Sequence, residues 1–308
     1  MPRVDFYISD RIHSTPLIFF FNSPDFQSLF EDEKTYSFFL KDVSKTILAR
    51  IHFKIEEKVA FSFKNAPFGF LETGIDSIPI LNDFLNQIEI YLKQLNIITL
   101  KLRAWPQCYN AGKTQLISQI LLDRGYEILY SDFNFFLMIS GKLPSEIFKK
   151  PERKRLRKCN NAGFKFLKIE NPDSGLVYEH LLKFRNQKHI PLNISKSDLQ
   201  KAFSKFPGQY FAFQVCDKEK VVSISVCVEV TQDILYHFMM ATDVEYNNFS
   251  PGVLLYDGIY KFCQEKNYKI FDFGTASIEG NKQVGLFNFK EKLGSEICLK
   301  TVFSKQLL

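Results

Sequence analysis

Three ionisable side chains stand where chemistry at a carbonyl could use them: Lys290 in FNFKEKLG, Asp272 in IFDFG and His237 in LYHFMMAT. A partly buried lysine beside an aromatic face can stabilise an oxyanion as charge develops, and Phe289 supplies such a face for Lys290. The plain alternative is a solvated lysine, because Lys290 and Lys292 flank Glu291 on a short predicted helix. Asp272 lies between Phe271 and Phe273, so alternation turns it to the opposite side of its strand. A carboxylate on an internal strand needs a partner or a role: a base, an orienter of an amine, or half of a structural ion pair. His237 is a candidate base, with a satisfied core histidine as its plain alternative, and Glu229 and Glu245 have similar standing. The six cysteines form no CxxC and no His stands at metal spacing from another, so no metal is expected.

The turn after Thr242 is the strongest ligand cradle. A strand ends at Thr242, the chain turns through Asn247, Asn248 and Ser250, and Pro251 and Gly252 open a helix that continues through Val253. Proline suits the first helical positions because its fixed φ fits and its missing N–H would be unpaired there. Gly252 lets the backbone pass close to a ligand. The N–H groups at the helix start, with the macrodipole, favour an anion. The plain alternative is an ordinary helix start capped by Ser250. A strand over 269–274 and a helix over 285–293 come next. Strand, anion-binding turn, helix, strand, helix is an order that a phosphate-bearing cofactor uses.

These residues need a framework, and the pattern supplies one in two halves. The first half reads as a strand over 15–22, a short helix over 24–30, strands over 35–41, 46–56 and 58–64, and a Gly/Pro-rich turn over 65–74. An amphipathic helix over 79–95 follows, with Leu81, Phe84, Leu85, Ile88, Tyr91, Leu92 and Leu95 at helical spacing. Then come a strand over 97–104, a helix over 113–124 stopped by Gly125, and a long or bent strand over 126–139. A linker over 140–151 carries Gly141, Pro144 and Pro151 among lysines. The second half has helices over 152–162 and 174–189 and another from Ser195, whose SKSD has capping-box spacing. Strands over 209–216, 221–230 and 234–242 fit hairpins, and a final strand covers 296–303. The two halves repeat in layout, not as a visible sequence period.

The segments YNNFSPGVLL, NYKIFDFG and FNFKEKLG, and the basic helix ERKRLRKCNNAGF, together resemble the GNAT acyltransferase superfamily, within it the tandem-domain branch containing the FemABX-type peptidyltransferases. The resemblance implies an α+β fold of two tandem GNAT-like units, each a mixed, mainly antiparallel sheet flanked by helices. The units would be 1–142, degenerate and shaping the acceptor cleft, and 143–308, carrying the donor site. It implies transfer of an acyl group, from acetyl-CoA or another acyl donor, to a primary amine on a small molecule or peptide. Two alternatives stay open: FemX-like aminoacyl transfer from aminoacyl-tRNA in cell-wall or peptide synthesis, and an inactive GNAT scaffold that binds a small molecule or protein. The Phe289–Lys290 pair would lie near the donor's carbonyl. Arg103, Trp105 and Tyr109, at the end of the first unit's matching strand, would line the acceptor cleft, with core packing as the alternative for Trp105. The family's cofactor loop reads Arg/Gln-x-x-Gly-x-Gly/Ala. Here the six residues are Asn247, Asn248, Phe249, Ser250, Pro251 and Gly252, and only the last small residue is kept.

Composition sets the outer limits. A chain of 308 residues suggests about two domains, and 45% hydrophobic residues are enough for a core in each. Its 33 Phe are read as core filling. A net charge of +6 permits an anionic partner without demanding one. Cations crowd around Arg153, Lys154, Arg155, Arg157 and Lys158. A solvated helix face is the default reading, and tRNA backbone, a nucleotide diphosphate or a membrane surface are the functional ones. Interleaved aromatics are absent from that run, unlike a single-strand stacking platform. Apolar cysteine positions point to reduced thiols and a cytoplasmic location. The apolar run over 16–21 is too short to span a membrane, and the first residues lack a signal-peptide pattern. The oligomeric state is not legible.

Overall fold

The computed structural model describes residues 2–30, 34–62 and 66–307. In chain order the elements begin with β1 (Arg3–Tyr7), α1 (Pro24–Gln27), β2 (Thr35–Lys41), β3 (Ile47–Glu56), β4 (Val59–Phe61) and β5 (Glu72–Thr73). Then come α2 (Ile78–Gln94), β6 (Thr99–Arg103), α3 (Ala111–Asp123), β7 (Glu127–Met138), α4 (Pro144–Ile147), α5 (Lys150–Asn161) and β8 (Lys165–Ile169). They continue with α6 (Ser174–Asn186), α7 (Lys196–Lys205), β9 (Tyr210–Asp217), β10 (Lys220–Thr231), β11 (Ile234–Thr242) and α8 (Pro251–Glu265). The last are β12 (Ile270–Thr275), β13 (Ser277–Ile278), β14 (Asn281–Lys282), α9 (Val284–Lys292) and β15 (Glu296–Gln306). Residues 1–133, 279–281 and 298–308 form one compact unit, and 134–278 and 282–297 the other. The closing strand therefore belongs mainly to the first unit, although it is last in sequence.

The sheet of the first unit runs β1-β2-β3-β4-β6-β15, with β5 on β3. β1/β2 and β4/β6 are parallel pairs, and β2/β3, β3/β4 and β6/β15 are antiparallel. The expected face of α2 is buried: Leu81, Phe84, Leu85, Ile88 and Leu92. The strand expected over 15–22 does not form. Its main chain is held by a side chain instead of a ladder, with Ile18 N and Phe19 N donating to Glu72 Oε1 at 2.6 and 2.9 Å. Residues 20–22 close into a 3₁₀ turn. β1 went unread because charges interrupt RVDFY. The ends of the expected strand over 58–64 and turn over 65–74 fall on residues 63–65, outside the described residues.

The second unit has the sheet β7-β12-β11-β10-β9-β8. β9, β10 and β11 form the two expected hairpins, and β11/β12 is a parallel pair in an otherwise antiparallel order. Ser195 caps α7 by accepting from Asp198 N at 3.0 Å. α8 is apolar around most of its circumference because it packs on β9, β10, β11 and β12 and also against α5. The edge strand β8 was missed, its KFLKI alternation being broken by lysines. Among the described residues no helix is long and apolar enough to cross a membrane, and no group of three or more His, Cys, Asp or Glu could hold a metal.

Candidate active site

In the second unit the parallel pairing of β11 with β12 covers only Ile234↔Ile270, Leu235↔Phe271 and Tyr236↔Asp272. Each strand bulges just beyond that point. The register of β11 against β10 skips Phe238, and that of β12 against β7 skips Phe273. Bulges end pairing and re-aim side chains, and they gather beside active sites. In sheets with parallel strands, ligands bind outside the carboxyl ends of those strands.

The end of β12 is gripped from two sides. Asp272, fully buried, accepts from Gly274 N at 2.7 Å and from Asn134 Nδ2 at 2.8 Å. Lys290, also buried, donates from Nζ to the carbonyl oxygens of Phe273 (2.6 Å), Gly274 (3.0 Å) and Thr275 (2.8 Å). An ammonium has three N–H groups, and three main-chain oxygens receive them. Gly274 has φ +73°, which glycine adopts at no steric cost. Lys290 is the one fully buried residue of α9, and Phe289 beside it is partly exposed.

The start of α8 lies next to Phe289. A Cβ added at Gly252 would sit 3.2 Å from Met240 Cε, 3.8 Å from Thr242 Oγ1 and 4.0 Å from Phe289 Cζ. Thr242 Oγ1 is 2.9 Å from Ser223 Oγ, and Val253 is fully buried. Ser250 is the residue before the helix, but its side chain does not cap it. Ser250 Oγ donates back to Asn247 O at 3.2 Å. Ser250 itself adopts φ 59°, ψ 54°, the left-handed conformation. Asn247 and Asn248 are exposed. The loop is anchored from α5: Lys158 Nζ donates to Asn248 O at 2.7 Å, and Cys159 Sγ to Phe249 O at 3.0 Å.

His237 is the first residue of β11 beyond the parallel pairing. Its Nδ1 lies 2.9 Å from the hydroxyl of Tyr256 on α8, and the rings meet edge-on at 4.7 Å. Its Nε2 is buried without a hydrogen-bond partner. Burial, and then the charges of Lys290 and Arg185, push the imidazole down to about 3, so it is neutral at ordinary pH. Burial holds the Tyr256 hydroxyl far above the usual phenol range. Tyr256 was not singled out in the sequence. Its strand partner is 19 residues away, and nothing local marks a tyrosine on an apolar helix as polar machinery.

The remaining candidates make the following contacts. Arg103, Trp105 and Tyr109 are in the first unit. Arg103 donates to Tyr130 OH at 3.0 Å. Trp105 is 2% exposed and packs on Phe19 at 4.7 Å and Phe70 at 5.2 Å, as a core residue does. Tyr109 packs at a tilt on Phe19 and edge-to-face on Phe68. Glu229 accepts from Tyr268, and exposed Glu245 pairs with Lys220 at 3.0 Å. On α5, Arg155 pairs with buried Glu152 at 2.8 Å. Lys154 is exposed. Lys150, Arg153 and Arg157 line an open depression of about 640 Å³ with Ser145, Leu156 and Asn160. None of those three cations has a carboxylate partner among the described residues.

Residues 197–291 match the family model described as the Acetyltransferase (GNAT) domain, a stretch that contains β11, α8, β12 and most of α9. Solved structures of similar fold include FemX, at 13% identity and TM-score 0.63, with 86% of each chain covered. Another is the C-terminal domain of a putative lysylphosphatidylglycerol synthetase from Agrobacterium fabrum, at 11% identity and TM-score 0.58, covering 83% of this chain and 81% of that one. A tandem GNAT protein from the clavulanic acid biosynthesis pathway aligns at 10% identity and TM-score 0.52, over 86% of this chain and 80% of that one. No curated protein sequence matches. These likenesses, the matched stretch and the two-unit architecture together give the chain a tandem GNAT, FemX-like fold, with residues 197–291 matching the GNAT domain model.

Proposed function

We propose that the chain is an N-acyltransferase that moves an acyl group, acetyl from acetyl-CoA in the first instance, onto a primary amine. One observation carries this reading. Ser250 stands where the cofactor-loop pattern has its middle glycine, and it adopts the left-handed backbone that glycine adopts freely. The loop changes the residue and keeps a glycine-like shape. Gly252 then brings the start of α8 to within contact of Thr242 and Phe289. Pro251 has no N–H and Val253 N donates to Ser250 O at 2.9 Å, so phosphate would rest on the Gly252 N–H at that helix start, with Asn247, Asn248, Thr242 and Val253 around it.

In the reaction, the neutral amine nitrogen attacks the acyl carbon. A new N–C bond forms, the bond from that carbon to the carrier sulfur breaks, the thiolate takes up a proton, and the amine gives one to water or a base. Positioning and stabilisation of the carbonyl oxygen supply most of the rate. Asp272 and Lys290 act here by fixing the end of β12. Calorimetric titration with acetyl-CoA and with CoA tests the reading: saturable binding of both supports it, and no binding of either removes it.

A second reading has its own support. Lys150, Arg153 and Arg157 leave three cations without carboxylate partners on the helix that anchors the loop, and FemX is among the similar structures. The donor would then be an aminoacyl-tRNA, with phosphates held by these residues. Salt-sensitive tRNA binding that disappears in Arg153→Glu/Arg157→Glu supports it, and unchanged binding in that variant opposes it.

A further inference from the structure

We propose that His237 presents a fixed Nε2–H to the acyl carbonyl oxygen, as a neutral hydrogen-bond donor, and that Tyr256 is the positioning residue that sets this tautomer. The proposal deepens the acyltransferase reading above and rests on it for the identity of the group bound.

The argument is an accounting of one buried pair. The Tyr256 hydroxyl has a single hydrogen-bond partner among the described residues, His237 Nδ1 at 2.9 Å. Tyr256 is 1% exposed and His237 6%, so water is no substitute for either. Two arrangements are open. If Nδ1 carries the proton and donates to the tyrosine oxygen, the phenol O–H is stranded with no acceptor, and the Nε2 lone pair is stranded as well. If the phenol donates to Nδ1, the proton sits on Nε2, and only that N–H lacks a partner. Buried polar groups are paired wherever they can be, and the second arrangement strands one group instead of two. Burial keeps both residues neutral, which the arrangement requires.

In this arrangement the acyl carbonyl oxygen would accept from the leftover N–H. His237 follows the last residue of β11 that pairs with β12, at the mouth of the parallel pair. The cationic donor nearby, Lys290, already gives hydrogen bonds to three main-chain oxygens. A neutral imidazole donating to a developing oxyanion is established chemistry for a histidine whose environment suppresses its protonation. A base at this position would need Nε2 bare, the reverse of what Tyr256 imposes.

The test is read in the free protein first. Long-range ¹⁵N–¹H correlation on ¹⁵N-histidine-labelled chain reports which ring nitrogen is protonated, with His237 assigned by loss of its signals in His237→Gln or by contacts to the Tyr256 ring. Nε2 protonated and Nδ1 bare is the expected result, with the tautomer mixed in Tyr256→Phe. Nδ1 protonated in the wild type overturns the proposal, whether or not acetyl-CoA binds. The second arm uses acetyl-CoA labelled at the carbonyl carbon. Its carbonyl stretch should fall on binding to the wild type, stay near the free value in His237→Ala, and fall again in His237→Gln, which restores an N–H. Equal stretches in the wild type and His237→Ala overturn the donor role. Absence of acetyl-CoA binding removes the acyl-CoA reading and leaves the tautomer result to decide the His237 assignment.

Discussion

Asp272 and Lys290 hold opposite ends of the same residue: the Asp272 carboxylate takes the N–H of Gly274 at 2.7 Å, and the Lys290 ammonium takes its carbonyl at 3.0 Å. The acid lies two residues before the glycine and the lysine 16 after it. The clamp lies where β12 ends its pairing with β11 and bulges at Phe273 against β7. Both residues were candidates for direct chemistry from sequence. In the structure both hold the main chain at the end of β12.

Removal of Lys290 should therefore be felt as lost stability. Lys290→Met leaves buried carbonyls without a donor, and charge-assisted bonds of this kind are worth about 1.5–3 kcal/mol each before relaxation. A net loss of about 3 kcal/mol is expected, read as a lower denaturant midpoint with an unchanged slope. Arginine should not restore it, because a planar fork cannot reproduce three converging bonds. Unaltered stability in Lys290→Met contradicts the clamp.

Asp272 should divide by chemistry. Asp272→Asn keeps an oxygen for Gly274 N and Asn134 Nδ2 and should cost about 1 kcal/mol or less. Asp272→Ala strands both donors in a fully buried site and should cost about 2–4 kcal/mol. Thermal unfolding of the two variants side by side checks the ordering. Equal losses would mean that the carboxylate charge, and not its acceptor geometry, is what matters.

Much of this framework was open to sequence reading, for identifiable reasons. β9, β10 and β11 are long apolar runs joined by short polar turns, and α8 opens on Pro251 and Gly252, so local signals agree with the fold. Short strands interrupted by charge, β1 and β8, gave weak periodicity. The segment over 15–22 looks like a strand because it is extended, yet its partner is the Glu72 side chain. Roles within the site were least legible. That Lys290 turns to its own unit's main chain, and that Tyr256 meets His237, depends on contacts 15 to 19 residues apart in sequence, which residue identity alone does not encode.

Acid should destabilise the fold through its buried histidines. His237 is held down to about 3 and His52, in the first unit, to about 4, each chiefly by burial, against an unfolded value of 6.5. Below pH 6.5 the unfolded chain binds protons that the folded chain refuses. Stability from these groups is therefore complete above 6.5 and lost as pH falls toward 4 and then 3. Each contributes a slope of up to about 1.4 kcal/mol per pH unit. Denaturant unfolding between pH 7 and 4.5 should show this fall, and His237→Gln should flatten it. An identical pH dependence in His237→Gln would mean that His237 is not buried neutral.

The proposed donor site can be separated from the fold at Gly252. Alanine there asks Met240 Cε, at 3.2 Å, to move slightly and should be tolerated. A leucine would fill the space toward Thr242 and Phe289, where the proposed donor would lie. Gly252→Ala should therefore keep most donor affinity. Gly252→Leu should lower it by tenfold or more while circular dichroism still reports a folded chain.

The most direct test of the central claim is calorimetric titration of acetyl-CoA into the wild type and into folded Gly252→Leu. The account predicts saturable binding to the wild type at a single site per chain, sharply weakened in Gly252→Leu. No binding to the wild type, or equal binding to both proteins, would contradict a donor site at the start of α8.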